Sequence, residues 1–240
     1  MTQDTIKLII SGSTGKMGHS LKDTLASKKD HKFYKTLEIV PFDSISNPDI
    51  YDSSVIIDFS EASFSIRVLE KAVAKKIPMV IGTTGFNEEQ HKTIKAASKQ
   101  VPLVLTPNTS LGITTLKNMI YSALNFGFYN NYTKVEIVEK HHKDKKDLPS
   151  GTSKDIVKFI KKQTSKDESI PIESIREENI SGEHSVSFIN KNEKLTISHK
   201  ALDRSIYSDG ALLAAIWLDS KRDLPDLYQM SDIYLPFEED

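Results

Sequence analysis

The stretch from Glu139 to Ser153 concentrates side chains that can transfer protons and bind anions. It reads EKHHKDKKDLPSGTS and holds two adjacent histidines, four lysines and a Pro-Ser-Gly-Thr turn. Histidine has the ordinary pKa closest to neutrality, so it suits proton transfer near neutral pH. The stretch therefore predicts a site at which a small anionic substrate exchanges a proton.

The strand before the histidines predicts which way each of them points. Val135 and Ile137 share one face because side chains alternate along a strand, and this face continues to Glu139 and His141. His142 points to the opposite side if the strand extends that far. We therefore expect the two histidines to have different roles.

The turn after the lysines predicts an anion-binding helix end. Ser150 is a natural N-cap for the helical pattern that follows. The amides of Gly151 and Thr152 would then face outward at the positive end of a helix dipole, where a carboxylate or phosphate binds well. A helix cap without a ligand is the alternative interpretation.

Two other kinds of site fit this stretch poorly. Zinc needs three or four ligands, but the chain has no cysteine and no HExxH motif, and His184 and His199 join only if the fold brings them there. We expect no metal. A serine hydrolase is also disfavoured, because Ser150 does not lie in a G-x-S-x-G elbow.

The first half of the chain predicts the sheet that a nucleotide cofactor needs. Short apolar runs that end in small polar residues occupy positions 5–11, 55–60, 78–85 and 101–108. Helical patterns occupy positions 18–28, 62–75 and 87–99. Strands that alternate with helices in this way predict a Rossmann-like, doubly wound parallel sheet. Ligands of such sheets bind beyond the carboxyl ends of the strands.

A glycine-rich loop follows the first predicted strand. The sequence GSTGKMG places Gly12, Gly15 and Gly18 between a strand and a helix, where a dinucleotide pyrophosphate binds. A simple turn is the alternative. An acidic residue about 20 positions further on usually holds the ribose. Glu38 fits that distance, and Asp43 is the second choice.

The second half predicts a smaller α+β domain with a mixed or antiparallel sheet. It holds an alternating strand before the histidines, an amphipathic helix from Ser150, and two alternating runs that form a hairpin around residues 190–192. An apolar helix at 209–218 returns to the first half. We expect a dinucleotide-binding domain of residues 1–109, completed by about 203–240, and a substrate-binding and oligomerisation domain of residues 110–202.

Composition limits the partners and the compartment. The chain has 240 residues, with 32 basic and 33 acidic side chains, so no overall charge favours nucleic acid or a membrane surface. Without cysteine it has no disulfides, which favours a reducing cytoplasm. The N-terminus lacks a signal-peptide pattern, and no apolar run approaches the roughly 20 residues that span a bilayer.

The Glu139–Ser153 stretch resembles the E-x-H-H-x-x-K-x-D-x-P-S-G-T motif of the 4-hydroxy-tetrahydrodipicolinate (dihydrodipicolinate) reductase family. The segments GSTGKMG, IDFS, VIGTTGF, PNTSLG, GEH, HKALDR and GALLAAIWL match in the same order, so the resemblance covers nearly the whole chain. It implies hydride transfer from NADH or NADPH to a cyclic imine dicarboxylate in lysine and diaminopimelate biosynthesis. It also implies a homotetramer joined through the sheets of the second domain.

The resemblance also implies roles for individual residues. His141 matches the proton donor and acceptor, and Lys145 matches the general acid. The substrate contacts are matched by His142, Ser150, Gly151 and Thr152. The cofactor contacts are matched by Gly12, Ser13, Thr14, Gly15, Lys16, Met17, Glu38, Gly82, Thr83, Thr84, Thr106, Pro107, Asn108 and Thr109.

Three features depart from the family pattern. Thr109 stands where a phenylalanine is usual, Glu178 stands where a glycine is usual, and the segment between Glu38 and Val55 is short. Two alternatives therefore stay open: another nicotinamide-dependent dehydrogenase of a small anionic substrate, and a catalytically silent nucleotide-binding subunit. Because no basic residue follows Glu38, we expect use of both cofactors, with NADH favoured.

Overall fold

The chain folds into two compact units. A computed structural model describes residues 5–28, 37–40, 55–130, 133–143, 145, 147–164, 169–178 and 180–234. One unit comprises Met1–Thr109 and Ser205–Asp240, and the other comprises Ser110–Arg204.

The described residues form ten strands and seven helices, joined by loops and turns. The strands are β1 (Ile6–Ser11), β2 (Leu37–Val40), β3 (Val55–Asp58), β4 (Met79–Ile81), β5 (Leu103–Leu105), β6 (Lys134–His142), β7 (Ile172–Glu177), β8 (Gly182–Ile189), β9 (Lys194–Ala201) and β10 (Leu227–Tyr228). The helices are α1 (Lys16–Ser27), α2 (Ala62–Lys75), α3 (Glu88–Ala97), α4 (Leu111–Asn125), α5 (Gly151–Thr164), α6 (Ser205–Asp219) and α7 (Met230–Ile233).

The first unit is built on a parallel sheet of six strands. Their order is β10-β5-β4-β3-β1-β2, and every neighbouring pair is parallel. The order reverses at β1, whose neighbours are β2 and β3. Such a reversal leaves a crevice beyond the carboxyl ends of the two strands that flank it, which is where ligands of open α/β sheets bind.

Helices cover both faces of this sheet. On one face Leu8, Ile10 and Ile57 pack in a core cluster with Ala211 and Leu212 of α6. On the other face, β-strand residues alternate with these and pack against α2 and α3 in a second cluster. Because strand side chains alternate, both faces must be apolar, which explains the continuous apolar runs of these strands. The predicted doubly wound sheet is confirmed.

The second unit is a mixed sheet of four strands in the order β7-β6-β8-β9. Strand β6 pairs parallel with β7 and antiparallel with β8, and β8 pairs antiparallel with β9. The Asn190 amide donates to the Glu193 carbonyl at 2.9 Å, which closes the predicted β8–β9 hairpin. Helices α4 and α5 pack on one face of the sheet around the fully buried Ile137, Ile156 and Phe188. The predicted α+β organisation is confirmed.

Strand β7 was not predicted from the sequence. It lies at the edge of the sheet, and all its residues are partly or fully exposed. An edge strand with little buried apolar surface lacks the alternation by which a strand is recognised.

The described part of the chain contains no helix that is long and apolar enough to cross a membrane.

Candidate active site

Strand β6 places the first histidine on the buried face of the second unit. Burial alternates along the strand, so Val135, Ile137, Glu139 and His141 are buried whereas His142 is half-buried on the other face. The predicted division between the two histidines therefore holds in the fold. His141 is only 5% exposed, and its Nδ1 makes no hydrogen bond within the described residues.

The Pro-Ser-Gly-Thr turn opens α5 as the sequence predicts. The Ser150 hydroxyl accepts a hydrogen bond from the Ser153 amide at 3.1 Å, which is the contact of an N-cap. The peptide bond between Leu148 and Pro149 is cis.

The expected outward-facing amide of Gly151 is engaged by the protein itself. It donates to Oδ2 of Asp147 at 3.2 Å. The expectation of a free amide at this position is wrong, because the carboxylate of Asp147 folds back over the helix end. Thr152, the other predicted amide, is buried.

The same carboxylate also engages the predicted general acid. Nζ of Lys145 lies 2.6 Å from Oδ1 of Asp147. Burial acts to raise the pKa of Asp147, but the hydrogen bond and the charge of Lys145 outweigh it and lower that pKa. Asp147 therefore joins Lys145, which matches the general acid of the family, to the N-terminus of α5, which was predicted to bind the substrate anion.

Arg176 fixes the loop that carries this ion pair. Its Nη2 donates to the Asp147 carbonyl at 2.8 Å and its Nε donates to the Lys145 carbonyl at 3.4 Å. Strand β7 carries Arg176 and pairs it in register with His141. A guanidinium therefore lies on the strand next to the predicted proton donor, and sequence reasoning had given it no role.

Glu139 is the charged centre of the buried cluster. Its side chain is fully buried. The carboxylate accepts hydrogen bonds from the Ser150 amide at 3.0 and 3.2 Å, from the Ser153 hydroxyl at 2.6 Å and from the Ser174 hydroxyl at 2.7 Å. Burial acts to raise the pKa of Glu139, but these hydrogen bonds outweigh it and lower the pKa to about 2. Glu139 is therefore ionised at neutral pH.

Two buried imidazoles lie close to this carboxylate. The rings of His141 and His184 are 5.0 Å apart and nearly perpendicular. Burial lowers the pKa of His141 to about 4, although the charge of Glu139 acts to raise it. Burial, with the neighbouring His141, lowers the pKa of His184 to about 3. Both rings are therefore neutral at pH 7 in this structure.

A third histidine lies next to His184 on the neighbouring strand. His199 on β9 pairs with His184 on β8, and its Nε2 lies 3.5 Å from the Ser110 hydroxyl. Burial lowers the pKa of His199 as well.

Glu139, His141 and His184 could also be considered as metal ligands. One ligand atom from each lies within 4.8 Å of the others. The carboxylate oxygens of Glu139, however, already accept hydrogen bonds from one amide and two hydroxyls. We therefore assign no metal to this group, and the expectation of no metal stays a prediction.

The glycine loop of the first unit lies at the point where the strand order reverses. Gly12 has φ of +79°, and a Cβ there would lie 2.4 Å from the Phe59 carbonyl oxygen, so only glycine fits. Helix α1 begins after Gly15, an N-cap with no side-chain hydrogen bond. Ser13 and Met17 are half-buried, whereas Thr14 and Lys16 are exposed. The loop thus presents backbone and polar groups at a helix N-terminus.

Asp58 joins the ends of three strands beside this loop. The side chain is fully buried. It accepts hydrogen bonds from the hydroxyl of Ser11 at the end of β1, from Ser60 at 2.6 Å and from Thr83 beyond β4 at 2.6 Å. Thr83 also accepts from the Ser60 amide at 2.9 Å. Sequence reasoning noted the IDFS segment but gave Asp58 no role.

The remaining predicted cofactor residues follow β4 and β5. A Cβ on Gly82 would lie 2.1 Å from the ring of Phe59, while Thr84 is exposed. The Thr106 hydroxyl donates to the Asn108 carbonyl at 2.7 Å and shapes the turn that includes Pro107.

Thr109, one of the departures from the family pattern, is buried. Its hydroxyl donates to the Tyr207 carbonyl at 2.6 Å, and its own carbonyl accepts from the Tyr234 hydroxyl at 3.0 Å. This residue is therefore engaged in packing within the first unit.

The strand register does not bring Glu38 to the glycine loop. Glu38 pairs with Lys7, four residues before the end of β1 at Ser11. At about 3.3 Å per residue that is roughly 13 Å along the strand. Asp43, the second choice for the ribose, lies outside the described residues.

Comparisons with known proteins match both halves of the chain. A family model described as "Dihydrodipicolinate reductase, N-terminus" matches residues 6–109, and one described as "Dihydrodipicolinate reductase, C-terminus" matches residues 112–234. The chain belongs to the dihydrodipicolinate reductase family.

The sequences of curated relatives match this chain over nearly their whole length. A 4-hydroxy-tetrahydrodipicolinate reductase of Buchnera aphidicola subsp. Cinara cedri (strain Cc) is 37% identical, with 95% of this chain and 96% of the relative covered. One from Wigglesworthia glossinidia brevipalpis is 35% identical, with 95% and 93% covered.

A solved structure shares the fold. It is described as a dipicolinate-bound dihydrodipicolinate reductase from Paenisporosarcina sp. TG-14, with a TM-score of 0.72 and 19% sequence identity. The match covers 96% of this chain and all of that one. At this identity the likeness shows the fold alone.

Proposed function

We propose that this chain catalyses the 4-hydroxy-tetrahydrodipicolinate reductase reaction of lysine and diaminopimelate biosynthesis. The reaction transfers a hydride from NADH or NADPH to a cyclic, unsaturated imine dicarboxylate, and addition of one proton then gives tetrahydrodipicolinate. The observation that carries the proposal is the arrangement in the second unit. There a buried imidazole, His141, lies on the strand that leads into a lysine and a capped helix N-terminus, in a chain that matches both halves of the family.

The second unit supplies the substrate site. Lys145 and the Gly151 amide, next to Ser150, bind a substrate carboxylate, which takes over the contacts that Asp147 makes in this structure. Thr152 and His142 complete the substrate contacts. In this exchange one carboxylate replaces another, so the cationic group and the helix end are not left unpaired.

His141 supplies the proton, and Lys145 is the general acid that meets the developing negative charge. In the structure His141 is neutral at pH 7, since burial lowers its pKa to about 4. A substrate with two carboxylates adds negative charge beside the ring and favours its protonated form. The substrate thus helps to load the proton that the reaction consumes.

The first unit fits a dinucleotide. At Gly12 the loop packs so closely against the Phe59 carbonyl that only glycine fits, and it leads directly into the N-terminus of α1, which suits a pyrophosphate. The residues that would hold the cofactor are Gly12, Ser13, Thr14, Gly15, Lys16, Met17, Gly82, Thr83, Thr84, Thr106, Pro107, Asn108 and Thr109. When bound there, a reduced nicotinamide supplies the hydride. The ribose contact is proposed for Asp43, because the strand register leaves Glu38 roughly 13 Å from the end of β1. We expect both cofactors to be used.

The open face of the second sheet supports a homotetramer. Strand β6 turns Glu136, Val138 and Lys140 to the side opposite the helices, and all three are half-buried. On β8 and β9 the middle of this face carries small hydroxyl side chains, Ser185, Ser187, Thr196 and Ser198, with charged residues such as Glu183 and Lys200 toward the end. Such a face allows a second copy of the sheet to approach closely. The cytoplasm is the proposed compartment.

Two other functions remain as alternatives. Another nicotinamide-dependent dehydrogenase would share the first unit but would not need a paired His141 and Lys145 with a carboxylate-binding turn. A silent nucleotide-binding subunit would not need them either.

The test measures oxidation of NADH and of NADPH by the purified protein. Substrate is generated in place by dihydrodipicolinate synthase from pyruvate and aspartate semialdehyde, and omission of the synthase is the control. We expect rapid oxidation that depends on the synthase, and the ratio of the two rates gives the cofactor preference. If folded, cofactor-binding protein oxidised neither, the proposed reaction would be wrong and the silent subunit would be favoured.

A further inference from the structure

Glu139 connects the strand of the proton donor to the substrate turn. It lies two residues before His141 on the same buried face of β6. Its four hydrogen bonds come from three separate elements: the turn at Ser150, the first turn of α5 at Ser153, and β7 at Ser174. One side chain therefore fixes where the turn lies relative to the strand.

The carboxylate also lies near three groups that can carry positive charge. Its oxygens are 3.8 Å from Nη1 of Arg176, 3.9 Å from Nδ1 of His141 and 3.9 Å from Nε2 of His184. These distances exceed hydrogen-bond length, so the influence on the imidazoles is electrostatic. Because the cluster is buried, water screens this influence weakly.

We propose that Glu139 is a positioning residue for the proposed reductase reaction. It holds the anion-binding turn at Ser150 in place relative to His141, and its negative charge favours the imidazolium form of His141 when substrate is bound. This inference rests on the proposed function and assigns a role to a residue that neither the sequence motif nor the family comparison explains.

Only a carboxylate satisfies the contacts in this position. The Ser150 amide can only donate, and the hydroxyls of Ser153 and Ser174 both donate to the same side chain. A glutamine of equal size has one acceptor oxygen and an NH₂ group that donates. It would leave at least one of these donors facing another donor, and it would remove the charge.

The charges around His141 decide which way its titration moves. His141 faces Glu139 on its own strand, Arg176 on β7 and His184 on β8. On the loop that follows β6 it faces Lys145 and Asp147. The two carboxylates favour the imidazolium, whereas the two cations disfavour it. His184 is neutral, since burial lowers its pKa to about 3, and His199 lies beyond it. Loss of Glu139 leaves a cationic surplus, which lowers the pKa of His141.

The experiment compares Glu139→Gln with Glu193→Gln. Glu193 is an exposed residue of the turn between β8 and β9 and lies outside the buried cluster. For each protein we would measure kcat against pH, the Kd of pyridine-2,6-dicarboxylate, the Kd of NADH, and the imidazole titration of His141 by NMR.

We expect Glu139→Gln to lower kcat by about 10- to 100-fold. In the plot of kcat against pH, activity is lost on the alkaline side as the proton donor deprotonates. This alkaline limb should move to lower pH by roughly one unit. Binding of pyridine-2,6-dicarboxylate should weaken, NADH binding should stay unchanged, and Glu193→Gln should behave as wild type. A variant with an unchanged pH profile and unchanged His141 titration would overturn the proposal, even if its melting temperature fell.

Two further variants separate charge from packing. Ser174→Ala removes one hydrogen bond but keeps the charge of Glu139, so the alkaline limb of kcat against pH should stay in place. A shift equal to that of Glu139→Gln would contradict the electrostatic role.

If Glu139→Gln does not fold, Glu139→Asp is the deciding variant. It keeps the charge but shortens the side chain, so kcat should fall. Wild-type kcat in Glu139→Asp would refute the positioning role. The NMR titration needs no turnover, so it distinguishes this inference from the proposed reaction.

Discussion

The ammonium of Lys145 and the carboxylate of Asp147, two residues apart in the chain, form an ion pair of 2.6 Å. The second oxygen of Asp147 accepts the Gly151 amide at the start of α5. An internal carboxylate thus engages two of the groups assigned to the substrate. Substrate binding becomes an exchange of one carboxylate for another, and the ion pair with Asp147 keeps Lys145 oriented before the substrate arrives.

Replacing Lys145 should reduce both substrate binding and turnover. In Lys145→Met the substrate carboxylate loses its cationic partner and Asp147 loses its ion pair. We expect kcat/KM to fall by about 100-fold or more. Lys143→Met is the matched control, because Lys143 is exposed and its partner Glu178 is a surface residue. Steady-state kinetics of both variants tests this, and equal losses in the two would argue against a specific role for Lys145.

Replacing His141 should affect the chemical step far more than cofactor binding. Glutamine at this position keeps much of the volume but cannot act as an acid, so we expect kcat to fall by about 100- to 10,000-fold. The Kd of NADH, measured by fluorescence titration, should change little. His91→Gln, at an exposed position on α3, serves as the control. Unchanged turnover in His141→Gln would show that another group is the proton donor.

Asp58 should be required for the stability of the first unit. In Asp58→Asn, an NH₂ group replaces one oxygen that accepts hydroxyl hydrogen bonds at the strand ends. We expect a loss of about 1 to 3 kcal/mol in the free energy of unfolding, because a buried polar contact is left unpaired. Weaker NADH binding should accompany it, since Thr83 depends on Asp58. Denaturant unfolding compares it with Asp23→Asn, at an exposed position on α1. Equal stability of the two variants would contradict the role.

Stability should decrease as the pH falls below about 6.5. Burial lowers the pKa of His141 to about 4 and that of His184 to about 3, so the unfolded chain binds more protons below their ordinary value of 6.5. Their contribution is complete above pH 6.5 and is lost as the pH falls toward 3. Glu139 adds to the loss between about pH 4.5 and 2, because its folded pKa is also lowered.

Thermal unfolding midpoints at pH 7, 6, 5 and 4 test this sign. A midpoint that stayed constant or rose between pH 6.5 and 5 would show that the buried imidazoles do not titrate as the structure indicates.

The sequence determined the elements whose side chains follow a regular period. Alternation along β6 predicted that His141 and Glu139 share one face, and Ser150 predicted the start of α5. The apolar runs of the first half predicted a parallel sheet, because strands covered on both faces must be apolar throughout. These predictions succeed since each depends on neighbours a few residues away.

Only the tertiary structure decided what meets these residues from elsewhere in the chain. Ser174 and Arg176 reach the site from an edge strand with no clear alternation, and a parallel register cannot be read from sequence. The sequence also could not show that Asp147 folds back onto Gly151, because that contact depends on the path of the loop. The sequence also could not show where Glu38 lies. Its distance along the chain suited a ribose contact, but the strand register pairs it with Lys7, away from the glycine loop. Sequence spacing thus predicted which groups are present, and long-range packing decided which of them lie close enough to act together.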